Sequence, residues 1–180
     1  ARLLHSILDN SSAAKSKASG SPTAATSTLR PLVGVKDFNE LAAMVRPRAE
    51  GQRRRTHTDN HTALFFADGN GLGALFQKAQ KQAVKNRDMG EYKALSQAIK
   101  DATTRALVEA TDAILFDDDT TLPAIPHILG GDDLLVTLPA DRAWEFITKF
   151  LDVMEEELNG LDLLPETKRP TVSAGVLFCK

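Results

Sequence analysis

The sequence predicts an α+β fold of the ferredoxin-like kind: a four-stranded antiparallel sheet with helices packed on one face, in the order β-α-α-β-β-α-β. Three observations predict it. Apolar runs of strand length, bounded by Gly, Asp or Pro, recur at residues 62–67, 124–129, 134–138 and 171–178. Between the first and second runs, and between the third and fourth, apolar residues repeat at helical spacing instead. The middle two runs are separated only by Gly130-Gly131-Asp132-Asp133, a length and composition that make a β-hairpin.

The elements follow in order. Residues 1–28 read as a flexible or disordered linker, because residues 10–27 are almost wholly Ser, Ala, Thr, Gly, Lys and Pro and hold too little apolar surface to offset ordering entropy. Residues 29–61 form an N-terminal extension. It is expected to hold a short strand at Leu32-Val33-Gly34-Val35 and a short helix over 37–45 with Asp37 as N-cap. It closes with a basic run (Arg46, Arg48, Arg53, Arg54, Arg55) that reads as a solvated linker, though such a run beside a nucleotide site can also meet phosphates or RNA.

The domain itself spans residues 62–180. Its first strand, 62–67, is expected to end abruptly at Asp68-Gly69-Asn70-Gly71, a tight glycine-rich turn. Leu72, Leu75, Phe76, Ala79 and Ala83 then share one face of an amphipathic helix, with Lys78, Lys81 and Lys85 on the other. A second helix turns Leu95, Ile99, Ala102, Ala106, Leu107 and Ala110 inward and gives way to the acidic loop 117–123, expected to be exposed and mobile. After the hairpin and Pro139, a third helix carries Ala143, Phe146, Ile147, Phe150, Leu151, Met154 and Leu158 on one face, with Asn159-Gly160 as its stop. Residues 171–178 supply the last strand.

With 42% hydrophobic residues in 180, the chain can bury one good core, so one domain plus an appended segment is expected. Its 22 basic and 24 acidic residues leave a net charge of -2, which lacks the basic footprint of an autonomous nucleic-acid binder. Cys179 is the only cysteine; it excludes an intramolecular disulfide and a Cys-Cys zinc motif, reads as a small core hydrophobe, and fits a reducing, cytoplasmic setting. No apolar run approaches the roughly 18 residues of a membrane span, so no membrane partner is expected. The chain starts with Ala and stops just after an apolar run, and reads as part of a larger protein.

Two carboxylates at a hairpin tip beside a third at the end of a neighbouring strand repel one another unless cations lie among them. Mg2+ or Mn2+ is the expected cofactor, since such ions take hard oxygen ligands and leave positions for water and substrate phosphates. Asp68, Asp132 and Asp133 are therefore the candidate metal ligands, with Asp132 and Asp133 as the catalytic pair in a two-metal phosphoryl transfer. Gly69, Asn70, Gly71 and Gly73 lie at a strand-to-helix junction, where backbone N–H groups can receive phosphate oxygens. Together with Gly130, Gly131 and Lys78 they make up the candidate nucleotide-binding set. Each glycine pattern alone is also what ordinary turns look like; the combination of both acidic turns points to a site.

Other candidates carry blander readings. Lys81 and Arg87 sit on an ordinary polar helix face. His57 and His61 lack a downstream metal partner and read as loop histidines, and His127 as a packed or edge-strand residue. Trp144 reads as a cover on the core edge, and Asp117-Asp118-Asp119 as a solvated run.

Three ordered motifs resemble a known family: Phe66-Ala67-Asp68-Gly69-Asn70-Gly71-Leu72-Gly73, Gly130-Gly131-Asp132-Asp133-Leu134, and Thr171-Val172-Ser173-Ala174-Gly175-Val176. Over residues 62–178 the chain resembles the polymerase-like large subunit of type III CRISPR effector complexes and its stand-alone relatives. It is similar also to the GGDEF diguanylate cyclases, which carry Glu where this chain has Asp133. The resemblance implies a palm that joins ATP into cyclic oligoadenylates through 3'-5' bonds with two metal ions, in antiviral defence. It implies Asp132 and Asp133 as the metal-binding pair and Asp68 as the first-strand acid. Implied partners are ATP and other subunits of an RNA-guided complex or a second palm. Many relatives carry a second acid two positions after the first, where this sequence has Asn70, an uncharged and weaker ligand. Two further readings stand beside this one. The domain binds nucleotide without turnover as a structural or regulatory subunit, which Asn70 favours, or it is a diguanylate-type cyclase, which the GGDD tip disfavours.

Overall fold

Residues 62–70 alternate in character, with Ala63, Phe65 and Ala67 fully buried and Phe66 and Asp68 exposed. Side chains of a strand point to its two faces in turn, so this segment needs a core on one side only. The computed structural model, which describes residues 32–46, 61–161 and 168–179, shows how the chain provides it.

In chain order the elements are β1 (Val33–Gly34), α1 (Phe38–Ala43), β2 (Thr62–Asn70), α2 (Leu72–Asn86), α3 (Gly90–Ala113), β3 (Thr121–Leu122), β4 (Ile125–Gly130), β5 (Asp133–Pro139), α4 (Ala143–Asn159) and β6 (Thr171–Cys179). The main sheet has the order β4-β5-β2-β6 and is antiparallel throughout, as predicted. Leu134, Val136 and Leu138 of β5 share the buried face with Ala63, Phe65 and Ala67 of β2. Helices α2, α3 and α4 cover that face. Phe65 meets Phe146 and Phe150 of α4 edge-on, with ring centroids 5.6 and 5.3 Å apart, a favourable aromatic geometry. The opposite face, with Phe66, Asp68 and Leu177, is open.

The three long helices bury most of the stripes read from the sequence; Phe76, Leu95 and Leu151 are only partly buried, and Thr103, Thr111 and Val153 are additions. Asp37 caps α1 by accepting from the Glu40 N–H at 2.9 Å. β1 pairs in parallel with β3, a two-stranded piece outside the main sheet.

Several boundaries and surroundings differ from expectation. β2 does not stop before Asp68: Asp68, Gly69 and Asn70 pair with Ser173, Val172 and Thr171 of β6, which keeps the strand extended to Asn70. The hairpin turn is Gly131-Asp132 alone, because Gly130 and Asp133 still pair. The acidic loop is not uniformly exposed. Asp119, with its side chain only 9% exposed, takes a two-pronged ion pair from buried Arg142, which also donates to the Ile114 and Met44 carbonyls at 3.0 and 3.2 Å. Arg142 and Arg46 both lie over the Phe116 ring, 4.1 and 3.7 Å from its centroid. Asp118 is paired with Arg46. Cys179 is half-buried on the edge strand rather than in the core, and Trp144 is 64% exposed against Phe178. Residues 1–28, the basic run beyond Arg46, and His57 lie outside the described residues. Among the described residues no helix is long and apolar enough to cross a membrane.

Candidate nucleotide and metal site

The site begins with strand register. Ala67 of β2 faces Leu134 of β5, both turned toward the helices. One step along each strand, Asp68 and Asp133 therefore face each other on the open side. Their carboxyls are in hydrogen-bonding contact. Partial burial, then the negative charges of Asp132 and Asp68, then that hydrogen bond push the Asp133 carboxyl above its usual range. Two carboxyls so placed need either a proton or a cation between them.

Asp132 arrives from the other side. Gly131 has φ +63 and Asp132 does not take a positive φ, the pattern of a type II′ turn with glycine in its first central place. The turn lays Asp132 over Gly69. A Cβ at Gly69 would stand 2.8 Å from Asp132 Oδ2 and 2.3 Å from Leu72 Cδ1, so only glycine lets the hairpin approach the start of α2. Neighbouring Asp132 and Asp133 thus leave the hairpin on different sides of β2. Among the described residues no three His, Cys, Asp or Glu side chains form a ready metal cage.

Gly71 makes the passage from β2 into α2 in one residue, with φ +81 in the left-handed region. No side chain caps α2, which leaves its first N–H groups to other acceptors. Asn70 is held to β6, its Nδ2 donating to Ser173 Oγ at 2.7 Å and to Thr171 Oγ1 at 3.4 Å. Ser173 lies opposite Asp68 in register. Beside this row opens a cavity of about 310 Å³ whose lining includes Asn70, Gly71, Lys78, Lys168, Arg169 and Thr171.

The sequence-predicted residues therefore divide. Asp68, Gly69, Asn70, Gly71, Asp132 and Asp133 gather at one end of the sheet, with Lys78 in the adjoining cavity. Gly73 and Gly130 do not show the same constraint, since a Cβ at either would meet nothing within 4 Å. Lys81 lines a separate groove with Gln77, Gln80 and Val84, and Arg87 caps the far end of α2. His127 sits at a register shift in edge strand β4, its Nε2 2.7 Å from Thr137 Oγ1. His61 precedes β2 and accepts through its backbone carbonyl from the Ala140 N–H. Sequence reasoning missed Ser173, Lys168 and Arg169. The signal available was Lys168-Arg169 standing one residue short of the last strand, whose start pairs with Asn70.

Residues 61–180 match the family described as Cas10/Cmr2, second palm domain. No curated protein matches the chain. Among solved structures, the Csm1-Csm4 cassette in complex with AMPPNP is similar at a TM-score of 0.56 and 15% identity, over 82% of this chain and 19% of that one. Csm1 of T. onnurineus is similar at 0.53 and 14%, over 81% and 18%. The Csm1-Csm4 cassette in complex with cA4 gives 0.51 and 14%, over 79% and 18%. The chain thus spans about a fifth of the length of these structures' chains, and at such identity the likeness is one of fold.

Proposed function

Because the chain belongs to the Cas10/Cmr2 second palm domain family, we propose that it binds ATP at the Asp68–Asp133 end of its sheet and serves the joining of ATP into cyclic oligoadenylate signals in CRISPR-type antiviral defence. One observation carries this reading: Asp68 and Asp133 in contact across β2 and β5, with Asp132 seated over Gly69 beside the uncapped start of α2. The AMPPNP and cA4 complexes of the similar structures support the ligand class.

The donor set suits Mg2+ or Mn2+. Mg2+ is commonly held by one or two carboxylates, with water and phosphate oxygens filling the rest, so a facing pair answers the need better than a closed cage would. Asp68 and Asp133 would hold one such ion, and Asp132 would contribute from the α2 side. Bound there, the ions would polarise the α-phosphate and offset charge on departing pyrophosphate. The chain's own part is orientation. Asp68 and Asp133 would present their carboxylates to the ion, Gly69 would keep the hairpin close, and the N–H groups after Gly71 would receive phosphate oxygens. In the joining step a 3'-hydroxyl oxygen bonds to the α-phosphorus of a second nucleotide, the bond to pyrophosphate breaks, and the hydroxyl proton passes to solvent.

A second reading is a nucleotide-binding palm without turnover, acting as a structural or regulatory subunit of an RNA-guided complex. Asn70 favours it: its amide nitrogen is engaged with Ser173 and Thr171, and it brings no charge to a second ion. Incubation of the chain with ATP or GTP and Mg2+ or Mn2+, followed by mass spectrometry, separates the two. Oligoadenylates absent from an Asp132→Ala/Asp133→Ala variant are the expected result. Metal-dependent ATP binding without product would favour the regulatory reading. ATP binding whose metal dependence survives loss of Asp68, Asp132 and Asp133 would end both.

A further inference from the structure

The cavity beside Asn70 is lined by cations from two separate stretches of chain: Lys78 from the second turn of α2, and Lys168 and Arg169 from the approach to β6. We propose that Lys168, Arg169 and Lys78 form a polyphosphate subsite that takes the β- and γ-phosphates of the bound nucleotide, and so the pyrophosphate as it leaves. The proposal rests on the nucleotide reading above for the identity of the ligand, but the cavity's anion chemistry stands on its own observations.

Four features argue for it. First, the cavity lies at the correct end of the sheet: Asn70 and Thr171, which pair across β2 and β6, form part of its floor. Asp68 stands two residues before Asn70 on the same side of β2, about 6.6 Å along the strand. A chain of phosphates that starts at the carboxylates reaches the cavity without leaving the sheet end. Second, the cavity borders Gly71 and the first turns of α2, so the uncapped N–H groups and the cations converge on one place. Third, Arg169 is oriented by the protein. Its Nη1 donates to the Asn159 carbonyl at 2.6 Å and to that of Leu158 at 3.4 Å, at the end of α4. Both bonds use a single nitrogen, which pins the fork while its other edge can meet a phosphate in the paired geometry guanidinium favours. Fourth, the charges sort themselves. The Asp68 and Asp133 carboxylates face each other where a metal would lie, and three cations line the cavity where the outer phosphates would, in a chain whose overall charge is only -2.

The probe is inorganic tripolyphosphate, titrated calorimetrically against the full 180-residue chain and against a Lys168→Ala/Arg169→Ala variant. Wild-type binding weakened at least tenfold in the variant is the expected result, with AMP affinity equal in the two proteins. An exposed lysine on α3 away from the cavity supplies the control, Lys100→Ala, which should bind tripolyphosphate as wild type does. Because Arg169 also tethers the end of α4, Lys168→Ala alone and Arg169→Lys are measured beside the double variant, each checked by its thermal melt. Failure of the wild type to bind tripolyphosphate, or equal affinity in a folded double variant, overturns the subsite. Tripolyphosphate binding that depends on Lys168 and Arg169 in a chain that does not bind ATP would uphold the anion subsite and overturn the nucleotide reading instead.

Discussion

At the scale of single residues, Gly69 is the most tightly constrained position of the site. Any side chain there collides with buried Leu72 and with Asp132 Oδ2 and Cβ together. Gly69→Ala is expected to cost about 1–3 kcal/mol in urea denaturation, the usual penalty of overpacking, and to abolish any Mn2+-dependent stabilisation by displacing Asp132. Gly73→Ala is the matched contrast. It meets open space in the first turn of α2, and alanine there should stabilise by about 0.5 kcal/mol. Equal effects of the two substitutions would show that hairpin approach is not what Gly69 serves. Much of this was legible in the sequence, since three acids and five glycines in two turns are a chemical pattern before they are a structural one. The opposite placement of Asp132 and Asp133 was not legible, because it depends on where a two-residue turn sits against β2.

At the scale of elements, the acidic loop after α3 shows how a segment that looks solvated can be structural. Asp119 is pushed up by burial, but the hydrogen bonds from Arg142 and from the Phe116 N–H, with the charges of Arg142 and Arg46, outweigh that and hold its carboxyl below the ordinary value. A depressed folded-state pKa means that this contribution is fully present above the unfolded value near 3.9 and lost as pH falls through the folded one. Asp119→Asn should therefore cost about 3 kcal/mol at pH 7, as Arg142 is left buried and unpaired, and should flatten the loss of stability below pH 4. Chemical denaturation followed from pH 7 to pH 2.5 checks both. An unchanged acid limb would mean that the Arg142 pair contributes nothing to folding. From sequence the run Asp117-Asp118-Asp119 gave no hint of this, because its partner Arg142 is 23 residues away.

At the scale of the whole molecule, the site is assembled from β2, the β4–β5 hairpin and the approach to β6, while one helical layer fixes all three to a common core. An ion that binds only this assembled arrangement must stabilise the entire domain by mass action, by about 2.7 kcal/mol at a hundredfold excess over its Kd. Millimolar Mn2+ is thus expected to raise the melting temperature of the wild-type chain by about 5–10 °C. Asp68→Ala should remove most of the rise, and Asp118→Ala, distant and paired with Arg46, should leave it unchanged. A rise that persists in Asp68→Ala would place the ion elsewhere.

The order of strands and helices, their inward residues and the grouping of acids at two turns were determined by the sequence alone, since periodicity and turn chemistry are local properties that neighbouring residues encode. Tertiary structure decided what depends on pairing between distant segments. It carried β2 past Asp68 through its bonds to β6, set Asp68 against Asp133, and gathered Lys168 and Arg169 beside Lys78. No short window of sequence contains both partners of any of these, and only the register of a folded sheet brings them together.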